Sequence, residues 1–372
     1  MTLATTPPGG NRGSAVRVGP QVSTTAQGSS SAPRLSAAGR PISVLDRSRS
    51  RQGESDAQAL RETVRLAREV ESLGYHRFWV SEHHSVPGVV GSAPTVLAAA
   101  IAAVTSRIRV GTGGVMLPNH QPLVVAEQFG VLESLYPGRI DMGLGRSVGF
   151  TNGIRRALGV DKDAVEDFGG QLQELLGYFT GTQEAHPQVH ARPGEGLRVP
   201  PYVLAVGAGS LLAADLGLPL VIAGVRSEQE LLTWLGRYRR QFKPSTWAAR
   251  PYVVLAATVA VADTSEAARR LLVSEAWSSA WSRTRGVFPP LLSTDEVLGL
   301  TMTDKERGFF DDSLRGQIYG TPDEVDVALG GLVSRTGADE VLITTNTYDR
   351  TELLDSYRRL AVLADLRTLA SR

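Results

Sequence analysis

The sequence predicts an α/β fold and, within that class, a parallel (β/α)8 barrel of the TIM type. Short apolar runs typical of buried strands alternate about eight times with segments of helical period, over roughly 330 residues. Polar or glycine-rich residues directly follow several of these runs, which is where such folds place functional groups. A doubly wound open sheet has the same alternation, so the pattern alone leaves both arrangements open.

Composition and length are those of an ordinary globular protein. The 372 residues are 42% hydrophobic and 21% charged with a formal net charge of +1, so nothing points to nucleic acid or a membrane as a partner. The chain has no cysteine, which excludes disulfides, thiolate metal sites and cysteine nucleophiles. Its apolar runs are too short to span a bilayer, and we predict a cytoplasmic protein.

The N-terminal segment differs from the rest of the chain. Residues 1–40 are rich in Ser, Thr, Gly, Pro and Ala and contain no apolar core of the kind that marks a secretory signal. Such a segment buries too little apolar surface to offset the entropy of ordering it. We therefore predict a disordered extension over residues 1–40 and a single barrel domain over residues 41–372.

Eight segments have the apolar composition of buried strands, of which Phe78-Trp79-Val80 is the most aromatic. In chain order, the predicted strands are residues 42–45, 77–80, 108–112, 140–144, 202–206, 220–223, 252–261 and 341–345. Glycine, proline or polar residues bound most of them, as strand ends require.

The segments between the strands have helical period. In the first, Leu60, Val64 and Val70 lie on one face, and Gly74 stands where a C-terminal cap belongs. Pro94 falls in the first turn of the second, where proline is tolerated. The predicted helices are residues 55–73, 93–105, 123–135, 165–180, 210–216, 227–240, 265–277, 322–336 and 350–366.

One long segment fits neither pattern. Residues 281–319, between the seventh strand and the helix before the eighth, contain Arg283, Arg285, Phe288 and two pairs, Pro289-Pro290 and Phe309-Phe310. Irregular segments of this length inside a compact domain are commonly lids or binding loops. We predict an inserted lid over the C-terminal face of the barrel.

The second predicted strand ends in a carboxylate and two imidazoles. Ser81, Glu82, His83 and His84 follow Val80 directly, at the mouth of the predicted barrel. The competing interpretation is a helix N-terminus capped by Ser81, in which the histidines are incidental. Adjacent histidines on an extended chain point to opposite faces, so we predict no metal site.

Three further strand ends carry glycine: Gly113-Gly114, Gly145-Arg146 and residues 207–210, which read GAGS. Glycine after a strand is also common in plain turns, and residues 207–210 hold only part of a dinucleotide-binding fingerprint. Glycine lets the backbone approach a ligand, and an arginine provides fork-shaped recognition of phosphate. The set favours a phosphorylated cofactor lying across the top of the barrel.

Five segments resemble the bacterial luciferase-like flavin-dependent monooxygenases, and most closely their alkanal-monooxygenase-like branch. They read WVSEHH at 79–84, TSRIRVGTGGVMLPNH at 105–120, PLVVAE at 122–127, YPGRIDMGLGR at 136–146 and TGADEVLI at 336–343. The resemblance implies a TIM barrel that receives reduced FMN from a separate flavin reductase. It further implies that O2 reacts through a flavin C4a-(hydro)peroxide to oxygenate an organic substrate.

The resemblance also implies roles for individual residues. His83 matches the catalytic histidine beside the flavin ring, with Glu82 placed to orient it. Gly113 and Gly114 match a non-prolyl cis peptide under the ring. The phosphate-binding positions of the family correspond to Arg146, Gly209 and Ser210. Homodimers are common in the family.

Some loops depart from the family pattern. Relatives usually read LGSS where this chain has GAGS, and the loops at 147–150 and 224–227 also differ. We therefore expect a substrate other than a simple aldehyde, and a tailoring step in secondary-metabolite biosynthesis is one interpretation. An F420- or FMN-dependent dehydrogenase on the same barrel and a non-catalytic luciferase-like subunit remain alternatives.

Overall fold

The computed structural model describes residues 34–35, 39–149, 151–223 and 227–366. Most of the extension predicted over residues 1–40 lies outside the described residues, as do Phe150 and residues 224–226 of the two divergent loops. Leu35 is buried in the main hydrophobic core, and Arg34 Nη1 lies 3.2 Å from Asp326 Oδ2. The domain boundary at residue 41 stays a prediction.

Eight parallel strands close into a barrel. The order around it is β1, β2, β3, β5, β6, β7, β8, β11 and back to β1, while the short β4 also pairs with β5. The predicted (β/α)8 barrel is confirmed, and the open sheet is excluded. The strands of the described residues are β1 (Ile42–Asp46), β2 (Arg77–Val80), β3 (Arg109–Thr112), β4 (Val115–Met116), β5 (Ile140–Gly145), β6 (Pro201–Leu204), β7 (Leu220–Ile222), β8 (Val253–Ala257), β9 (Val259–Val261), β10 (Ile318–Gly320) and β11 (Glu340–Ile343).

Glycines allow β3 and β5 to approach closely. A Cβ on Gly143 would lie 1.9 Å from the carbonyl oxygen of Thr112, and one on Gly111 would lie 2.4 Å from that of Asp141. Thr112 Oγ1 also donates to the Gly143 carbonyl at 2.8 Å. Any side chain at Gly143 would therefore force the two strands apart next to the predicted cofactor site.

Helices cover the outside of the barrel. Most begin at a polar side chain that accepts a backbone hydrogen bond, as Ser55 does from Gln58 N. Within the described ranges, no helix combines the length and apolarity that a bilayer crossing requires. The helices are α1 (Asp56–Ser72), α2 (Pro94–Val104), α3 (Pro122–Leu135), α4 (Asn152–Leu158), α5 (Phe168–Thr180), α6 (Gly209–Asp215), α7 (Glu228–Gln241), α8 (Ser265–Arg285), α9 (Thr294–Leu298), α10 (Asp304–Leu314), α11 (Pro322–Thr336) and α12 (Arg350–Leu363), with 3-10 turns at Leu117–Asn119 and Lys162–Val165.

The strand predicted over residues 252–261 is two strands. β8 belongs to the barrel, whereas β9 leaves it and pairs in parallel with β10. Side chains from elsewhere take the backbone groups that a continuous barrel strand would use: Val259 N donates to Thr345 Oγ1 and Val261 N to Ser356 Oγ, each at 2.9 Å. An apolar run indicates that a strand is buried, but not which strand it pairs with. The sequence therefore predicted one strand where the structure has two.

The inserted segment lies where the sequence predicts it, but it is not irregular. α8 continues to Arg285, and α8, α9 and α10 share a hydrophobic core around Trp277 and Phe310. The segment is bonded to the loops after β1 and β2: Leu291 N donates to the Ser50 carbonyl, and Gly88 N to the Phe288 carbonyl, each at 2.9 Å. It therefore forms a fixed wall beside the C-terminal end of the barrel.

A charged network fills the N-terminal end of the barrel interior. Arg77 lies between two carboxylates, with Nη1 2.7 Å from Asp141 Oδ2 and Nε 3.0 Å from Glu340 Oε1. Arg109 adds a contact of 2.6 Å to Asp141, and Tyr252 OH donates to Glu340 at 2.8 Å. Apolar side chains, including Leu45 and Trp79, fill the middle of the barrel. A ligand can therefore enter only at the C-terminal end.

Candidate active site

The chain after β2 enters the C-terminal mouth of the barrel as a loop. Ser81 and Glu82 are buried, and His83 N donates to the Gly91 carbonyl at 2.8 Å. The next helix, α2, begins only at Pro94. The alternative in which Ser81 caps a helix is therefore wrong, and the carboxylate and imidazoles stand at the end of a barrel strand.

The Glu82 carboxylate is the centre of a hydrogen-bond cluster. It accepts from His84 Nε2 at 2.8 Å and from His120 Nε2 at 2.9 and 3.0 Å. Asn119 Nδ2 and the backbone N of Met116 complete the set at 3.2 and 3.0 Å. Burial opposes ionisation, but the bonds from His120 and His84 outweigh it and lower the pKa of Glu82 to about 2.

Glu82, His84 and His120 also have the composition of a metal site, since their ligand atoms lie within 4.8 Å of one another. Ligand atoms around a tetrahedral zinc ion are about 3.3 Å apart, because each lies about 2.0–2.1 Å from the metal. The nitrogen–oxygen distances of 2.8 to 3.0 Å are instead those of hydrogen bonds. This geometry favours a carboxylate that fixes two histidines, and the absence of a metal stays a prediction.

His83 lies apart from this cluster. Its Nδ1 is 3.1 Å from Ser81 Oγ. Ser81 therefore orients the ring, a role that the sequence analysis gave to Glu82. Burial, together with the positive charges of Arg47 and Arg49, lowers the pKa of His83 to about 4. The ring is therefore neutral at neutral pH. Because the Ser81 hydroxyl can donate to Nδ1, the single proton of the neutral ring can lie on Nε2.

The peptide bond between Gly113 and Gly114 is cis, as the resemblance implied. A Cβ on Gly114 would lie 2.7 Å from the Gly143 carbonyl oxygen, and one on Gly113 would lie 2.6 Å from Leu45 Cδ1. Both positions thus require glycine or a displaced neighbour. The bond from Met116 N to Glu82 ties the segment after this peptide to the carboxylate, so the structure brings Glu82 and the glycine pair together.

The predicted phosphate residues lie at the ends of β5 and β6, which pair through Gly145 and Leu204. Arg146 is exposed and makes no hydrogen bond or ion pair within the part of the chain that the structure describes. Ser210 is fully buried, and its hydroxyl donates to the Gly207 carbonyl at 2.7 Å. Arg146 is therefore available to a ligand, whereas the Gly209 amide donates to the Val206 carbonyl at 3.3 Å and the Ser210 hydroxyl is used inside the turn.

Sequence reasoning missed several residues of this site. His120 and Asn119 lie inside a segment that resembles the family, but no role was assigned to them. Arg47 and Arg49 were passed over in the polar stretch after β1, although a charged residue at the end of a barrel strand is itself a signal. No local pattern could have found Glu275, because it reaches the site from α8.

A family model described as luciferase-like monooxygenase matches residues 41–326. The chain belongs to the luciferase-like monooxygenase family. A protein of Escherichia coli (strain K12) named luciferase-like monooxygenase is 34% identical to it over 324 residues, 85% of this chain and 94% of that protein. The N-acetyl-S-alkylcysteine monooxygenase of Bacillus subtilis (strain 168) is 37% identical over 239 residues, 63% of this chain and 71% of that protein.

Solved structures have the same fold as this luciferase-like chain. Apo-MsnO8 superposes with a TM-score of 0.76 at 29% identity and covers 88% of this chain and 98% of its own. The oxygenating constituent of 3,6-diketocamphane monooxygenase from Pseudomonas putida, a type II Baeyer–Villiger monooxygenase in complex with FMN, has a TM-score of 0.67 at 18% identity. It covers 88% of this chain and 98% of its own.

Proposed function

We propose that this luciferase-like chain is an FMN-dependent monooxygenase that uses O2 to oxygenate an organic substrate. The observation that carries the proposal is the arrangement of the barrel mouth. Its parts are the cis Gly113–Gly114 peptide, a His83 ring that is neutral at neutral pH, and Arg146 at the end of β5, which makes no hydrogen bond or ion pair within the described residues. Such a site offers a flat backbone surface, a hydrogen-bond donor and a cation for phosphate.

The residues present fit FMN. The glycine pair leaves space that any side chain would fill, and Arg146 is a cation whose donors are free within the described residues. Gly113 and Gly114 would hold the ring, and Arg146 would hold the phosphate near the turn at Gly209, whose own amide is bonded to the Val206 carbonyl. Reduced FMN, supplied by a separate flavin reductase, would provide the electrons that activate O2.

The geometry narrows the role of His83. A histidine beside the flavin ring can act either as a general base or as a hydrogen-bond donor. A histidine with a pKa of about 4 is a weak base and carries no second proton at neutral pH. Ser81 Oγ lies 3.1 Å from Nδ1, so a neutral ring that accepts a hydrogen bond there carries its proton on Nε2. We assign it the donor role, next to the position where oxygen is transferred.

The substrate of a relative indicates a chemical class. The Bacillus subtilis relative is named for N-acetyl-S-alkylcysteine, a molecule with a thioether and a carboxylate. We infer a small organic substrate of comparable polarity for this chain. Tailoring of a secondary metabolite stays compatible with that inference.

Flavin titration tests the proposal. Wild type and Arg146→Ala are titrated anaerobically with photoreduced FMN and then mixed with O2 in a stopped-flow absorbance instrument. Loss of a charge-assisted phosphate contact should weaken FMN binding about tenfold to a hundredfold. The control is Arg156→Ala, which removes another exposed arginine close by on α4 and should leave the affinity unchanged.

Three outcomes contradict the proposal. Equal FMN affinity in wild type and Arg146→Ala would remove the phosphate role. Reduced FMN that binds tightly but is not consumed by O2 in the presence of candidate substrates would favour the dehydrogenase alternative. Failure to bind either FMN or F420 would favour the non-catalytic subunit.

We also propose that the chain forms a homodimer through α2 and α3. α2 has no charged residue, and large apolar side chains on both helices are exposed, including Val96 at 69%, Val131 at 47% and Leu135 at 63%. A surface helix that is apolar on all sides normally lies in an interface. Val131→Glu should yield monomers in light scattering, whereas Val362→Glu, on the exposed face of α12, should not change the mass.

A further inference from the structure

A second group of charged side chains lies between the loop after β1 and α8. Arg47 Nη2 contacts Glu275 Oε1 at 2.6 Å, and Arg49 Nε lies 3.2 Å from Glu275 Oε2. Arg49 Nη2 donates to Ser278 Oγ. Two guanidinium groups therefore share one carboxylate, which leaves a surplus positive charge beside the proposed flavin site.

Arg49 and Glu275 are largely shielded from water. The Arg49 side chain is 1% exposed and that of Glu275 is 14% exposed. Burial lowers the pKa of Arg49, an effect that Glu275 opposes and Arg47 reinforces. Asp46, at the end of β1, accepts from Ser48 N at 2.8 Å and forms no ion pair with either arginine within the described residues. An anion placed against the pair would compensate the charge that Glu275 leaves unbalanced.

The arginines also have unused donors. Arg47 Nε and Arg49 Nη1 make no hydrogen bond within the described residues, although both atoms are buried. Arg47 is the member of the pair that solvent reaches, since 27% of its side chain is exposed. Buried unpaired donors on a cation are costly, and a ligand oxygen would satisfy them.

Arg47 lies just beyond the C-terminal end of β1, on the side that strand alternation assigns to the barrel interior. Leu45 and Trp79 pair across β1 and β2 and face the barrel interior, and Arg47 follows Leu45 by two residues. Leu45 packs against Gly113, because a Cβ on Gly113 would lie 2.6 Å from Leu45 Cδ1. In the ring of eight strands, β1 lies four strands from β6, so Arg47 stands opposite the turn proposed to bind phosphate.

We propose that Arg47, backed by Arg49, binds a carboxylate of the organic substrate and that Glu275 sets the strength of this contact. The inference rests on the proposed monooxygenase function and deepens it, because it assigns the substrate class as carboxylate-bearing molecules. The bound carboxylate would fix one end of the substrate beside His83, so that the apolar remainder lies over the ring.

Matched anionic and neutral probes test this assignment. Calorimetry compares N-acetyl-S-benzylcysteine, N-acetylmethionine and 4-phenylbutyrate with their primary amides, on protein with and without FMN. Wild type should prefer the carboxylates. Arg47→Gln should weaken carboxylate binding about tenfold to a hundredfold and leave amide binding unchanged. Glu275→Gln should strengthen carboxylate binding, because it removes the competing carboxylate.

The control removes an arginine from α8, the helix that carries Glu275, at a position outside the proposed site. Arg270→Gln loses an exposed ion pair to Asp295 and changes the net charge by the same amount as Arg47→Gln. It should retain the wild-type preference. The opposite signs expected for Arg47→Gln and Glu275→Gln separate recognition of an anion from a structural clamp, in which both variants would only lower the melting temperature.

Three results of the ligand comparison would overturn the assignment: no preference for the carboxylate in any pair, an unchanged preference in Arg47→Gln, or a weaker one in Glu275→Gln. Reduced FMN affinity in Arg47→Gln would also overturn it, since the residue would then serve the cofactor phosphate. A carboxylate preference that depends on Arg47 in a chain that binds no flavin would support the anion site while the monooxygenase proposal fails.

Discussion

The two ends of the barrel both bury arginines and carboxylates, but they balance them differently. At the N-terminal end, Arg77 and Arg109 face Asp141 and Glu340, two charges of each sign. None of the buried side-chain nitrogen or oxygen atoms of these four residues lacks a hydrogen bond within the described residues. The charges at this end are balanced, and the buried polar atoms of these four residues are hydrogen-bonded.

The C-terminal end is not complete. There, Arg47 and Arg49 share Glu275, and three guanidinium nitrogens have no hydrogen bond within the described part of the chain, although one of them, Arg49 Nε, lies 3.2 Å from Glu275 Oε2. Unpaired buried donors cost stability, so they are expected where a ligand completes the set. The comparison assigns the N-terminal network to stability and the C-terminal group to binding.

The largest expected effect is on stability, at the N-terminal end. Arg77→Met leaves Asp141 and Glu340 without their shared cation, and removing one partner of a buried ion pair typically costs about 3–5 kcal/mol. Urea unfolding measures the loss. Arg335→Met, which breaks an exposed pair with Glu228, should cost about 1 kcal/mol or less. An equal loss of unfolding free energy in the two variants would mean that the buried network contributes no more to stability than an exposed ion pair.

A smaller effect is expected at Glu82, and it depends on pH. The pKa of Glu82 is about 2 in the folded chain and near 4.5 in the unfolded chain. The ionised carboxylate therefore stabilises the fold above pH 4.5, and this contribution disappears as the pH falls towards 2. Glu82→Gln should be on the order of 2–3 kcal/mol less stable near neutral pH, and the difference should shrink in acid.

Chemical denaturation at several pH values measures that difference. A constant gap between wild type and Glu82→Gln from pH 7 to pH 2.5 would mean that the carboxylate is not held ionised by His84 and His120. Ser293→Ala, which removes one exposed capping bond at α9, serves as a control whose effect should not depend on Glu82.

The smallest effect concerns the charge on His83. Its ring should titrate in NMR with a midpoint of about 4, assigned by comparison with His83→Gln. Arg47→Gln removes one of the two positive charges that lower this pKa, so the midpoint should rise by up to about one unit. A midpoint near 6.5 that does not respond to Arg47→Gln would show that the C-terminal group carries no surplus charge at His83.

The sequence alone determined the elements and the positions of much of the chemistry. Short apolar runs located the barrel strands, because these strands are buried on both faces, and a period of 3.6 residues located most helices. Strand ends located Glu82, His83 and Arg146, because parallel strands expose their carboxyl ends together. The resemblance to the family located the cis Gly113–Gly114 peptide, which no local pattern predicts.

Only the tertiary structure decided that the barrel closes and which charged side chains pair with each other. The return of β11 to β1, the departure of β9 to β10, and the folding of the inserted segment into α8, α9 and α10 all depend on contacts between distant parts of the chain. The same holds for the carboxylate partners: Glu82 binds His120, 38 residues away, and Arg47 binds Glu275, 228 residues away. Local patterns record whether a residue is buried, but only the fold selects which charges are buried together, and that selection separates the balanced end of the barrel from the unbalanced one.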